Sequence, residues 1–362
     1  MSADPMLLMT PGPTRVPQRV LDAGARPMIH HRSPEFAREL ATIVELLPPV
    51  FGTTRPPLPV HTTGRGALEA TICNLFSAGD EIVSCCNGKF GEMWAGFAES
   101  YGIIVHRVAA DWTRDIDLAE LETAFTYHPR AKAVTVAYTD SSTGVANDIK
   151  TIARVAARHG VLTLVDGVSS VGGMPFEMDA WGVDVAVTAS QKCLMSSPGM
   201  AFAILSDRAR AAAEKSRLPK NYWDFLAIEE TITKPKPETP GTTPVHLALQ
   251  VAEALRMIHE EGLKNVFCRH ASMRDRAHAG AAELGLTVQC SGFAHQSATM
   301  TALACSRPVP VREKLKARGI LTAAGLGRFQ SEGFRIGHMG DIRLDDVDRT
   351  VVALRDVLSE LT

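Results

Sequence analysis

Val161-Leu-Thr-Leu-Val-Asp166-Gly-Val-Ser-Ser170 and Val183-Asp-Val-Ala-Val-Thr-Ala-Ser190-Gln191-Lys192-Cys193, whose lysine lies 26 residues beyond that aspartate, decide how this chain folds. Each stretch opens with an apolar, β-branched run, short enough for a strand and continuous enough to be buried on both faces. That is the pattern of a parallel sheet covered by helices. Each run also ends in a residue that packing does not ask for, an aspartate in one and a lysine in the other. Groups at the C-terminal ends of parallel strands lie where open α/β sheets bind ligands.

Outward from this pair, residues 59–206 alternate short apolar runs with amphipathic stretches. Strands are expected at 81–85, 103–107, 133–137, 162–166, 183–189 and 200–205, and helices at 66–76, 91–101, 118–126 and 149–158, the last stopped by Gly160. The alternation predicts an α/β fold with a large, mainly parallel sheet. The segment Lys234-Pro-Lys-Pro-Glu-Thr-Pro-Gly-Thr-Thr-Pro244 is too rich in proline to lie inside an element. A helical stretch from Val245 to about Gly285 follows, then strand-like runs at 286–290, 298–304 and 333–336 with helices near 311–318 and 344–361, a small α+β domain. In Thr10-Pro-Gly-Pro-Thr14 two prolines remove donors and fix φ, so the first residues are expected to form an extended arm and not a strand. The division expected is an arm over 1–20, a large domain over 21–244, a connecting helix over 245–285 and a small C-terminal domain over 286–362.

With 38 basic against 40 acidic side chains the net charge is −2, which argues against a partner of nucleic acid or anionic membrane. No apolar run approaches the roughly 18 residues of a membrane span, and residues 1–13 lack a basic segment followed by an apolar one. A cytoplasmic protein is expected. Seven cysteines form an odd, scattered set without a CxxC, as expected of small apolar residues in a reducing compartment. His30-His31 has no cysteine partner nearby, so no metal site is expected.

Taken alone, Asp166 reads equally well as a cap of the next turn, and Lys192 as a surface lysine. Together they have a specific chemical meaning. A carboxylate can hold the nitrogen of a pyridine ring protonated, making the ring an electron sink, and a desolvated lysine one crossover later can form a Schiff base with the ring's aldehyde. That pair calls for pyridoxal phosphate. Thr62-Thr63-Gly64-Arg65-Gly66 places hydroxyls, glycines and a guanidinium just ahead of a helix, where backbone N–H groups bind anions, although such a stretch is more often only a turn. Asn87-Gly88-Lys89-Phe90-Gly91 puts an aromatic ring in a loop after a strand, free to stack on a cofactor or to pack as a satellite of the core.

Thr10-Pro-Gly-Pro-Thr14, Thr63-Gly-Arg-Gly-Ala-Leu-Glu69, Ser141-Ser-Thr-Gly144, Val165-Asp-Gly-Val-Ser-Ser170, Ser190-Gln-Lys192 and Arg335-Ile-Gly337 occur in the order seen in class V aminotransferases, and the chain resembles their alanine–glyoxylate and serine–pyruvate group from about residue 7 onward. The resemblance implies a fold-type I pyridoxal-phosphate transferase, with a seven-stranded-type sheet and a homodimer sharing its active sites. It implies Lys192 as the Schiff-base lysine, Asp166 on the pyridine nitrogen and Phe90 stacked on the ring, where relatives often carry tryptophan. It also implies Thr63, Gly64, Arg65 and Gln191 at the phosphate, Ser141 near the ring hydroxyl, and a threonine from the neighbouring subunit. Thr242 is preferred for the last, with Thr239 and Thr243 as alternatives. Arg335 would fork the substrate α-carboxylate, and Gly12 would wall the substrate site. The activity implied is ping-pong transfer of an amino group from a small amino acid, alanine or serine, to glyoxylate or pyruvate. The alternatives are a 2-aminoethylphosphonate–pyruvate transaminase and, further off, a cysteine desulfurase-like lyase.

Overall fold

The computed structural model describes residues 6–109, 111–290 and 295–361. The chain opens with β1 (Leu7–Met9), α1 (Gln18–Gly24) and α2 (Pro34–Val50). It continues through β2 (Leu58–Val60), α3 (Gly64–Leu75), β3 (Glu81–Cys86), α4 (Lys89–Ser100), β4 (Ile104–Ala109), α5 (Leu118–Tyr127) and β5 (Ala131–Ala137). Then come α6 (Ile149–Arg158), β6 (Leu162–Asp166), α7 (Met178–Trp181), β7 (Val185–Ala189), β8 (Ala201–Leu205), α8 (Asp207–Ala213) and α9 (Phe225–Ile232). Two long helices, α10 (Val245–Glu261) and α11 (Leu263–Glu283), lead to β9 (Thr287–Val288), β10 (Met300–Ala304), α12 (Pro308–Ala317), β11 (Ile320–Ala324), β12 (Gly333–Gly337) and α13 (Leu344–Leu361).

The large sheet has the order β2-β8-β7-β6-β5-β3-β4 and is parallel except at β8, which runs against both its neighbours. Every residue of β6, β7 and β8 is buried, which is why these runs lack polar alternation. The path from β5 winds one way through β6 and β7, while β3 and β4 lie on its other side. The strand order therefore turns between β5 and β3, the point at which open α/β sheets leave a crevice at their carboxyl ends. The small sheet has the order β1-β11-β12-β10-β9, with β1 parallel to β11 and the rest antiparallel. Its own core, including Met9, Val311, Leu315, Phe334 and Leu354, is filled from α11, α12 and α13.

Three expectations are corrected. The arm does contain a strand: Leu7 and Met9 point into the small core and pair with Ile320 and Thr322 before the first proline ends the ladder at Pro11. The stretch 245–285 is two helices, because Gly262 adopts φ +82°, ψ 130° and turns the chain. α10 packs in the large core, and Met273, Ala277 and Ala281 of α11 in the small one. Phe90 lies in the first turn of α4 and not in a loop, just as Gly64-Arg65-Gly66 is the first turn of α3.

Candidate active site

Four strand ends of the large sheet and the N-terminal arm enclose one cavity of about 300 Å³. Gly12, Thr63, Gly64, Arg65, Phe90, Ser141, Asp166, Gln191 and Lys192 all line it, so nine of the eleven residues singled out in the sequence meet in one place. Pro13, Leu68, Met93, Thr139, Val168, Ser169 and Pro198 complete its wall.

Asp166, the last residue of β6, is buried and accepts a hydrogen bond from Val168 N at 2.9 Å. Burial raises its pKa to about 6, with the Val168 N–H and Lys192 pulling the other way. Lys192 follows β7 in a turn, and its remaining exposure is cavity surface. Burial lowers its amine to about 8, against the attraction of Asp166. The arm lies over this lysine. Nζ donates to the Pro11 carbonyl, Thr14 N donates to Gln191 O at 3.1 Å, and Thr14 Oγ1 donates to Lys192 O at 3.2 Å. Gly12 has φ +115°, and a Cβ there would stand 2.6 Å from Lys192 Cδ, so only glycine lets the arm pass so close.

α3 starts at the cavity. Its N-cap, Thr63, makes no capping hydrogen bond, so the first N–H groups are left for a ligand, as an anion site requires. Arg65 is exposed at the rim, its guanidinium 5.5 Å from the centre of the Phe97 ring. Gln191 Oε1 is buried without a hydrogen-bond partner among the described residues, an amide end that asks for a ligand. A phosphorylated pyridine therefore fits the donor set: a cradle of N–H groups and an orphaned amide at one end, a buried carboxylate at the other, and an amine between.

Two of the eleven lie elsewhere. Arg335 sits on β12, the middle strand of the small sheet, and reaches the cavity wall from behind. Its Nη1 donates to Ser141 O at 2.7 Å and its Nε to Ala324 O at 2.8 Å, and burial lowers its pKa to about 10. Thr242 borders a separate cavity of about 240 Å³ with His61, Tyr222 and Pro240. Of the three threonines in its loop, Thr239 donates to Gly241 O and Thr243 bonds His61 Nε2, both buried, whereas Thr242 is exposed.

No local pattern marks Asp140 or Ser169 as part of the site. Asp140 is wholly buried, and Ser169 Oγ accepts from Ser141 Oγ at 2.6 Å. The Ser141–Ser169 bond and those that Asp140 accepts from Phe90 N and Gly91 N join residues far apart in the chain, and only the order of strands could have foretold them. Away from the cavity, Glu81, His106 and His128 bring possible metal-ligating atoms within 4.8 Å of one another. The two imidazoles are stacked 3.4 Å apart at 8°, so no ion could lie in the plane of both rings, and Arg130 already pairs with Glu81.

Residues 6–327 match the family model for class V aminotransferases. A protein of Synechococcus sp. named soluble hydrogenase, small subunit, is 35% identical over 99% of this chain and 94% of its own length. The L-aspartate–glyoxylate aminotransferase of Paracoccus denitrificans is 33% identical over 92% of this chain and 86% of its own. The crystal structure of an alanine–glyoxylate aminotransferase from Nostoc sp. superposes with a TM-score of 0.92 at 30% identity, covering 99% of this chain and 96% of that one. No described helix is long and apolar enough to cross a membrane. The chain belongs to the class V aminotransferase family.

Proposed function

We propose that this aminotransferase uses pyridoxal phosphate to pass the amino group of a small amino acid, alanine or serine, to glyoxylate or pyruvate. One observation carries the reading: Asp166 and Lys192, on neighbouring strand ends, face one cavity beside an uncapped helix start. Bound there, the cofactor would supply an electrophilic carbon for the donor amine and an electron sink for the electron pair left behind when the donor's Cα loses its proton.

The rest is the work of this chain's residues. Asp166, ionised above about pH 6, accepts the pyridine N–H and keeps that nitrogen charged. Lys192, lowered to about 8, has a substantial neutral fraction near neutral pH. That lets it act first as nucleophile and then as the base and acid that carry the Cα proton. Phe90 offers an apolar ring face without the indole N–H that relatives with tryptophan would have. The first turn of α3, with Thr63, Gly64 and Arg65, and the amide of Gln191 take the phosphate. Ser141 lies on the ring-hydroxyl side. Arg335 turns to the substrate carboxylate, for which its planar fork is the bidentate match, while Gly12 shapes the opposite wall.

A homodimer completes the phosphate site. Thr242 is the threonine of its loop left exposed, and it stands outside its own chain's cavity, as a residue offered to a neighbouring subunit must. A reducing, cytoplasmic setting suits seven free thiols. The desulfurase alternative finds no support in Cys290, whose thiol is buried and pushed up to about 11, far from a nucleophilic thiolate.

The test is the visible spectrum of the purified protein supplied with pyridoxal phosphate. L-Alanine, L-serine, L-aspartate and 2-aminoethylphosphonate are added in separate cuvettes. Bleaching by alanine or serine, reversed by glyoxylate or pyruvate, supports the reading. Bleaching by the phosphonate alone replaces the donor, and a protein that takes up no cofactor overturns the reading.

A further inference from the structure

We propose that Asp140 is a positioning residue for the transamination: one buried carboxylate ties the helix that presents Phe90 to the turn that anchors Arg335. The inference rests on the cofactor reading above for what Phe90 and Arg335 do.

The geometry is two-sided. Asp140 Oδ2 accepts from Phe90 N at 2.9 Å and Gly91 N at 3.3 Å, while Oδ1 accepts from Ser142 N at 2.9 Å and Ser142 Oγ at 2.5 Å. Ser142 Oγ in turn accepts from Lys89 N at 3.0 Å. The first three N–H groups of α4 are thus capped from a turn some 50 residues further along the chain. Gly88, which holds the N-cap position, has no side chain to offer. On the other side, Ser141 stands between Asp140 and the Ser142 that its carboxylate holds, and the Ser141 carbonyl receives Arg335 Nη1.

The cost of this arrangement is what marks it as functional. A serine at position 88 would cap α4 locally for about 1 kcal/mol without burying a charge. A carboxylate with no exposure and no ion-pair partner among the described residues is far more expensive, even with four donors, and burial pushes its pKa up. The chain also gives up a side chain to make room, since a Cβ on Gly88 would stand 2.0 Å from Asp140 Cγ. A local cap cannot do what the distant one does, which is to fix the Phe90 ring relative to the Ser141 carbonyl and so relative to the Arg335 guanidinium.

The test separates a tie from a cap. Asp140→Ala removes both, and adding Gly88→Ser in the space released restores only the cap. Three quantities are read on the full-length protein: amide hydrogen exchange at residues 88–91 and 141–144 without cofactor, circular dichroism of bound pyridoxal phosphate, and KM against kcat for L-alanine. Expected for the double variant are recovered protection at 88–91, persistent fast exchange at 141–144, weakened cofactor dichroism, and a KM raised about tenfold or more with a smaller change in kcat. Wild-type dichroism and KM in the double variant would overturn the proposal and make Asp140 only a cap. Should neither variant fold, Ser142→Ala decides in the same readouts: unchanged exchange at both segments and an unchanged KM overturn it, and faster exchange with a raised KM supports it. A wild-type protein that binds no pyridoxal phosphate overturns the cofactor reading instead, a result visible before any variant is made.

Discussion

At the scale of single residues, the chemistry rests on Asp166, Lys192 and Arg335, three side chains whose surroundings push them away from their solution behaviour. Lys192 is the clearest. Its amine is neutral above about 8, so cofactor uptake by the stripped protein should accelerate with pH, by about tenfold between pH 7 and 9, and then level off. Stopped-flow absorbance across that range checks this, and a rate flat with pH would mean that the amine is not the attacking group. Lys192→Ala should leave the fold intact and remove at least the roughly 10²–10⁴-fold that positioned acid–base catalysis contributes. Arg335→Ala makes a different prediction. Removing a charged donor to the substrate carboxylate should cost about 1.5–3 kcal/mol in kcat/KM for amino acids, some ten- to hundredfold. An amine lacking a carboxylate should lose much less, and equal losses on both would take Arg335 out of substrate binding.

At the scale of elements, the start of α3 shows how tightly the cradle is fitted. Gly64 faces Val168 and Ala189, and a Cβ there would stand 2.7 Å from Val168 Cγ2. Gly64→Ala should push the helix start off the ends of β6 and β7. The dissociation constant for pyridoxal phosphate should rise by about tenfold or more, with a stability loss of only about 1–2 kcal/mol in urea unfolding. An unchanged dissociation constant would show that α3 can yield without disturbing the phosphate. The same element shows what could be read in advance. Thr63, Gly64 and Arg65 were legible because an anion-binding helix start is a local pattern, and β6 and β7 because strands buried on both faces are continuously apolar. Asp140 was not, since its partners on α4 are brought to it by the position of β5 beside β3. The strand at Leu7–Met9 escaped because three residues carry too little pattern, and its partner β11 is more than 300 residues away. The break at Gly262 was hidden by helical periodicity on both sides.

At the scale of the whole molecule, the small domain must hold β12, and with it Arg335, at a fixed distance from the large sheet, and buried hydroxyls and histidines do this. Thr139 Oγ1 donates to Ser297 Oγ at 3.1 Å and Thr299 Oγ1 to Ser169 O at 2.6 Å, joining the 297–299 segment to the cavity wall. Next to them His338 Nδ1 faces Ala298 O at 3.1 Å and its Nε2 meets Thr301 Oγ1, while His270 Nδ1 faces Val266 O at 2.7 Å and its Nε2 accepts from Gly340 N at 3.2 Å. His270 donates at Nδ1 and must accept at Nε2, which only a neutral imidazole can do, and a neutral His338 makes the same pair of bonds with the Thr301 hydroxyl as donor. Burial accordingly lowers His270 to about 4 and His338 to about 3. In the unfolded chain both titrate near 6.5, so between pH 6.5 and 4 the unfolded state binds more protons than the folded one. The contribution of these rings is complete above pH 6.5 and is lost as the pH falls, on the order of 1–2 kcal/mol for each at pH 5. Buried carboxylates such as Asp166 respond in the opposite sense, so the histidines are isolated by difference. Urea unfolding at pH 7.5 and pH 5 should show a smaller loss in His338→Gln, which can donate and accept without titrating, than in the parent. A loss of the same size would mean that His338 is charged in the folded protein, and that the neutral bridge drawn between Ala298 and Thr301 is wrong.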